Sequence, residues 1–255
     1  MPETKHNVRV VPDAPAIFRA AAEKFVRCAK QAIAARGSFS VALSGGSTPK
    51  GLYGLLASDE FRSQVSWDKV AFFWGDERNV PPDHEDSNYR MANEAMLSKL
   101  PLSSSQVFRI RGEIDAGLAA VEYEETLKNH FHLDTGKFPS IDLVLLGMGP
   151  DGHTASLFPG TKALDEQRRL VVSNWVGKFY TQRVTLTVPV LTNAQQILFL
   201  VNGADKAQPF KAVLEGPYEP EQLPSQFILS AAAKTLWLVD PSAAKLLTIA
   251  KEEHA

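Results

Sequence analysis

Asp151 and His153 stand together near the end of IDLVLLGMGPDGHTASLFP, residues 141–159, where a solid apolar run stops at a glycine-rich loop. An imidazole titrates near neutrality, so it can take a proton under ordinary conditions. A carboxylate two residues away can orient the ring or stabilise its charged form. A histidine satisfied in the core or holding a turn is the plainer account of a lone imidazole. The aspartate, the Gly-Pro-Gly loop and the apolar run before it make proton transfer the sharper reading.

Three other strings carry polar chemistry. In SGGSTPK, Gly45 and Gly46 let the backbone approach a ligand closely, while Ser44, Ser47 and Thr48 add hydroxyls beside the free N–H groups of a helix start. That combination suits a phosphate, with Ser47 or Thr48 expected to cap the helix and Pro49 near its first position. The string lacks the spacing of the dinucleotide and nucleoside-triphosphate loops, and it equally describes a tight turn before a capped helix. GDERNV brings Asp76, Glu77 and Arg78, whose guanidinium could clamp an anion with two prongs; a solvated loop is the bland alternative, and the two acids stay unassigned. In NGADKA, Lys206 is expected at or just before a helix start, because Pro209 is tolerable only in the first turn. Arg183 opens RVTLTV, and whether it reaches the same edge depends on strand direction.

Other chemistries find little support. His130 and His132 are two apart, wrong for one helix face, and no zinc or calcium pattern occurs. No G-x-S-x-G elbow is present, and Cys28 falls in a helix stripe, so no covalent nucleophile is evident.

What must position these residues is an alternation of strands and helices. Asp13 and Pro15 open a helix with the stripe Ile17, Ala21, Phe25, Cys28 and Ala32, and Gly37 closes it. Strands are predicted at FSVAL, KVAFFW, VFRI, IDLVLLG, RLVVS, RVTLTV, QILFLV and TLWLV, with helices after SGGSTP and at about 87–99, 115–130 and 207–215. A last helix is capped by Asp240 with Pro241. Apolar strands alternating with helices imply an α/β fold, a doubly wound and mainly parallel sheet with helices on both faces. The loops after FSVAL, KVAFFW, IDLVLL and ILFLV would then converge on one edge, where such sheets bind ligands.

With 255 residues, 44% hydrophobic and 22% charged, and with no linker or repeat, the chain is expected to form one domain over residues 1–255. A single cysteine, no apolar signal core in MPETKHNVRVVPD and no membrane-length apolar run point to a cytoplasmic protein. The balance of 27 Lys+Arg against 29 Asp+Glu gives no excess charge to steer nucleic acid or a membrane surface, so an anionic ligand must be held by local donors. Oligomeric state is not legible, and a monomer is the working expectation.

SGGSTPKGLY, FFWGDERNVPPDHEDSN, LLGMGPDGHTASLFPGTKAL, RVTLTVPVL and VNGADKA stand in the order and approximate spacing of the 6-phosphogluconolactonases, a family that the chain resembles over about residues 39–239. The resemblance implies a sugar-phosphate isomerase type of fold, within the glucosamine/galactosamine-6-phosphate isomerase superfamily. It implies hydrolysis of 6-phospho-D-glucono-1,5-lactone in the oxidative pentose phosphate pathway, with no metal and no organic cofactor. It makes His153 the base that activates water, with Asp151 beside it. The SGGSTP turn, Arg78, Arg183 and Lys206 would hold the phosphate and sugar hydroxyls.

A hexosamine-6-phosphate deaminase/isomerase is the near alternative, but relatives of that kind carry an acid after Asp-Gly-His, where this chain has TASLFP. A sugar-phosphate-sensing regulator would need a DNA-binding segment and basic surface that the sequence lacks. A catalytically silent binding domain stays open.

Overall fold

The computed structural model describes residues 6–248, so the first five residues of the N-terminal segment lie outside it. In chain order the elements are β1 (Asn7–Val10), α1 (Ala14–Arg36), β2 (Phe39–Leu43), α2 (Ser47–Leu56), α3 (Asp59–Arg62), β3 (Val70–Trp74), β4 (Asp76–Arg78), α4 (Asn88–Ala95) and α5 (Ala116–Phe131). They continue as β5 (Leu143–Gly147), β6 (Val171–Val176), β7 (Thr181–Leu186), α6 (Val188–Asn193), β8 (Ile197–Val201), α7 (Ala207–Glu215), β9 (Thr235–Val239) and α8 (Pro241–Ala244), with short 3-10 turns between.

Short apolar runs cannot sit on a sheet that faces water, and here they do not. β2, β3 and β8 bury every residue, and β5 all but its terminal glycine. They form a parallel six-stranded sheet in the order β1-β9-β8-β5-β2-β3, flanked by helices. From β2 the chain moves outward to β3, then returns to β5 on the other side of β2 before continuing to β8 and β9. That reversal opens a crevice at the carboxyl ends of β2 and β5, whose following loops are SGGSTPK and GMGPDGH.

Helix α1 follows its sequence signals: the Asp13 carboxylate accepts from Ala16 N at 2.8 Å, Gly37 ends the helix at φ +81°, and the five stripe residues are buried. Phe25 meets Phe39 of β2 edge to face at 5.2 Å, which docks the helix on the sheet.

Several expectations are corrected. The RLVVS and RVTLTV segments do not join the parallel sheet; β6 and β7 form an antiparallel hairpin that pairs with β4 as a second sheet, ordered β4-β7-β6. Ser173 and Trp175 alternate with buried neighbours, the period of a strand with one wet face. Asp76–Arg78 is therefore a strand and not a loop. VFRI contributes only a bridge, Phe72 to Val107, and β1 is an edge strand whose polar residues gave no apolar run. Neither Ser47 nor Thr48 caps α2; Gly46 does, and Ser47 is already helical. The helix expected at 87–99 breaks at Met96 (φ −140°), leaving α4 and a 3-10 turn over Leu97–Lys99.

Asp142, buried just before β5, ties three elements together. One oxygen accepts from Ser40 N (2.8 Å) and Ser40 Oγ (2.9 Å) on β2, the other pairs with Arg36 at the end of α1. Removing this acceptor strands a buried N–H, so Asp142→Ala is expected to cost about 2 kcal/mol in a urea titration. A loss under about 0.5 kcal/mol would show the network to be dispensable.

Candidate active site

The SGGSTPK turn leaves β2 under tight control. Tyr53, reaching back from α2, donates from its hydroxyl to Ser44 O (2.8 Å) and accepts from Ser44 N (2.9 Å). Burial pushes the Tyr53 phenol up, so it stays a neutral donor. A Cβ on Gly45 would collide with the amide oxygen of Asn88, and Gly46 lies in the left-handed region at φ +107°. Gly46 has no side chain with which to cap α2, so the first-turn N–H groups and the exposed Ser47 hydroxyl face the cleft uncapped. The buried Ser44 Oγ likewise has no partner among the described residues. Uncapped N–H groups at the positive end of a helix favour an anion.

The second sheet forms the facing wall. Strand alternation and register place Asp76, Arg78, Arg183, Thr185 and Asn174 on one face. Loop residue Ser156 docks there: its hydroxyl donates to Asp76 Oδ2 at 2.6 Å, its N–H to Thr185 Oγ1 at 3.3 Å, and its carbonyl accepts from Asn174 Nδ2 at 2.9 Å. Glu77 points the other way. Its carboxylate accepts from the N–H groups of Arg78 (2.7 Å), Asn88 (2.8 Å) and Tyr89 (2.8 Å) and from Ser87 Oγ (3.1 Å), anchoring the start of α4. Burial pushes Glu77 up, against the opposing pull of those N–H bonds. Of the two acids that the sequence left unassigned, Glu77 holds the start of α4, while Asp76 holds Ser156 and also faces the cleft.

Arg78 and Arg183 are cross-strand partners, each with a buried Nε that has no hydrogen-bond partner among the described residues. Arg78 donates to Asp86 O (2.7 Å), and the Arg183 guanidinium lies over the Phe179 ring at 5.7 Å. Burial and the adjacent Arg78 charge push Arg183 down, against the opposing pull of Asp76, Asp86 and Glu77. Lys206, at the N-cap of α7, is mostly buried, with Nζ 2.9 Å from Asp205.

On the third side is the dyad. His153 Nδ1 pairs with Asp151 Oδ1, and Lys178, from the tip of the β6–β7 hairpin, donates to the other Asp151 oxygen at 3.1 Å. Nδ1 is thus committed, which leaves Nε2 as the lone-pair nitrogen of the neutral ring. Phe158 stacks on the imidazole at 4.0 Å, and a Cβ on Gly149 would strike it from beneath, so the ring has one place to be. Burial disfavours the Asp151 charge, but the His153 and Lys178 contacts outweigh it and hold the carboxyl well below the usual range.

These walls enclose a cavity of about 310 Å³ lined by Ser44, Gly45, Gly46, Ser47, Thr48, Arg78, His153 and Lys206. Of the sequence-predicted residues, Asp151 and Arg183 do not line it; they stand behind His153 and beside Arg78. The imidazole opens on the same cavity as the Ser44–Thr48 turn, its side chain keeping 23% exposure. Sequence reasoning missed Asn88, Asn202 and the Lys178 contact. Asn88 had one signal, the preceding Ser87, which caps α4; Lys178 had none, since it arrives by folding of a hairpin.

The low carboxyl of Asp151 sets a pH dependence. A folded-state value depressed below the unfolded one adds stability above the unfolded carboxyl range and loses it as pH falls. The stability gap between wild type and Asp151→Asn is expected to narrow in urea titrations from about pH 6 to about pH 3; a constant gap would show that the pairing carries no charge term.

The model of the family described as glucosamine-6-phosphate isomerases/6-phosphogluconolactonase matches residues 12–237. A 6-phosphogluconolactonase of Nostoc sp. is 38% identical over 247 residues, 96% of this chain and 100% of that protein. One of Synechocystis sp. is 41% identical over 219 residues, 85% of this chain and 88% of that protein. Among solved structures, the 6-phosphogluconolactonase from Trypanosoma cruzi superposes with a TM-score of 0.85 at 29% identity, covering 96% of this chain and 98% of that one.

Proposed function

From the family of glucosamine-6-phosphate isomerases and 6-phosphogluconolactonases, to which this chain belongs, we infer that the cleft hydrolyses 6-phospho-D-glucono-1,5-lactone to 6-phosphogluconate. The observation that carries the reading is an imidazole with Nε2 uncommitted, held in the same cavity as an uncapped helix start.

The phosphate lies on the Ser44–Thr48 turn at the positive end of α2, with Arg78 and Lys206 supplying counter-charge and Arg183 reinforcing Arg78. Binding at this remote group brings the lactone carbonyl to His153. Nε2 takes a proton from water as the water oxygen bonds to C1, and the carbonyl electrons move to oxygen. Asp151 stabilises the imidazolium through Nδ1–H and keeps the ring in the correct tautomer, with Lys178 anchoring the carboxylate. When the tetrahedral intermediate collapses, the C1–O5 bond breaks and the ring oxygen takes the proton from Nε2. The new carboxylic acid then releases a proton to solvent. No acyl-enzyme forms, and the proton taken from water reaches the ring oxygen by way of His153, so the sequence of steps calls on neither a metal ion nor an organic cofactor.

A polar sugar-phosphate substrate fits a cytoplasmic setting. No helix among the described residues is long and apolar enough to cross a membrane.

Two measurements test the reading. A coupled assay on freshly generated lactone, corrected for spontaneous hydrolysis, should show full activity with a chelator present; a rate at background would remove the reaction, and a rate lost to chelator the metal-free route. His153→Ala should lower kcat by about 10² to 10⁴ while binding of 6-phosphogluconate stays within a few fold. An unchanged kcat would remove His153 as the base.

A further inference from the structure

We propose that Asn88 is a specificity-determining substrate contact that accepts a hydrogen bond from the C4 hydroxyl of the bound phosphorylated lactone. The proposal rests on the lactonase reading and adds a residue to it.

Asn88 is only 2% exposed, yet it lines the cleft. Its backbone N–H donates to Glu77 Oε1 at 2.8 Å, and its side-chain Nδ2 donates to the carbonyl of Asp76 at 3.0 Å. The second bond fixes which way the amide faces: nitrogen to β4, oxygen to the glycine turn. That oxygen occupies the space where a Cβ of residue 45 would stand, so Gly45 is a glycine to admit it. Among the described residues Oδ1 accepts no hydrogen bond. Oδ1 therefore stands at the cleft as an acceptor open to a ligand, its amide fixed by the bonds to Glu77 and to β4.

The partner must be a donor, because an amide oxygen repels the oxygens of a phosphate. It must also lie near the phosphate, because Oδ1 touches the turn on which the phosphate rests. In a 1,5-lactone the oxygen on C5 is in the ring and carries no hydrogen. Moving from the phosphate-bearing C6 toward C1, the first hydroxyl is therefore the one on C4. Asp76, a carboxylate acceptor on the facing sheet, is already engaged through Oδ2 by Ser156 of the His153 loop. A site built to accept a hydroxyl discriminates against a ligand lacking it, because its own acceptor is then left dry and unpaired.

The test compares kcat/KM for 6-phosphogluconolactone with that for its 4-deoxy and 2-deoxy analogues, in wild type and in Asn88→Ala. Wild type should prefer the parent to the 4-deoxy lactone by about tenfold, and Asn88→Ala should bring that ratio close to one while leaving the parent/2-deoxy ratio unchanged. A parent/4-deoxy ratio that persists in Asn88→Ala overturns the proposal. Should the variant fail to fold, wild type alone decides: equal kcat/KM for parent and 4-deoxy lactones overturns it too. A wild type that turns over no lactone removes the lactonase reading, and the Asn88 assignment with it.

Discussion

The hydrogen bond from Ser156 Oγ to Asp76 joins the loop carrying the imidazole to the strand carrying Arg78, and the geometry of the cleft follows from it. The parallel sheet alone places two loops at its switch point but does not fix the distance between them. The second sheet does, because β4 continues from β3 after only Gly75 and its polar face receives Ser156 through Asp76, Thr185 and Asn174. Such a chain of buried polar groups is worth having only when every member is satisfied, and these are paired with one another. Ala155, at φ +48° beside this anchor, shows that the loop accepts backbone strain to make it.

Close approach is the second organising constraint. Gly45 and Gly149 are not flexible joints; they are places where another side chain fills the room a Cβ would need, the Asn88 amide at one and the imidazole at the other. The glycines on the two loops thus act in pairs with specific neighbours. Each brings a functional group against backbone, and through it against whatever the backbone binds.

Charge is arranged to be incomplete. Among the described residues Arg78 and Arg183 sit side by side in no ion pair, with Asp76, Asp86 and Glu77 close enough to act on Arg183, whereas Asp151 is shared between His153 and Lys178. Two adjacent cations suit a dianionic phosphate, and a doubly held carboxylate suits the proposed exchange of a proton at the ring beside it. Lactone hydrolysis asks for that division, with fixed charge at the remote group and mobile charge at the reacting carbon.

Much of this was legible in the residues. Uniform apolar pentads announced buried parallel strands, and the polar strings at their ends announced a crevice, because both signals are local. Where the chemistry depends on pairing between distant segments, the string was silent. RVTLTV looks like any buried strand until it pairs with β4, and only then does Arg183 come beside Arg78. Asp76 and Glu77 are adjacent acids in sequence, yet strand alternation sends one to the cleft wall and the other to the start of α4. Sequence by itself determined the fold class, the phosphate-suited turn and the Asp-His pair, since backbone freedom, apolar period and a spacing of two residues are properties of neighbours. The tertiary structure alone decided that Asn88 faces Gly45, that Lys178 reaches Asp151 and that the turn and the imidazole share one cavity, since those are contacts between segments whose approach no local pattern encodes.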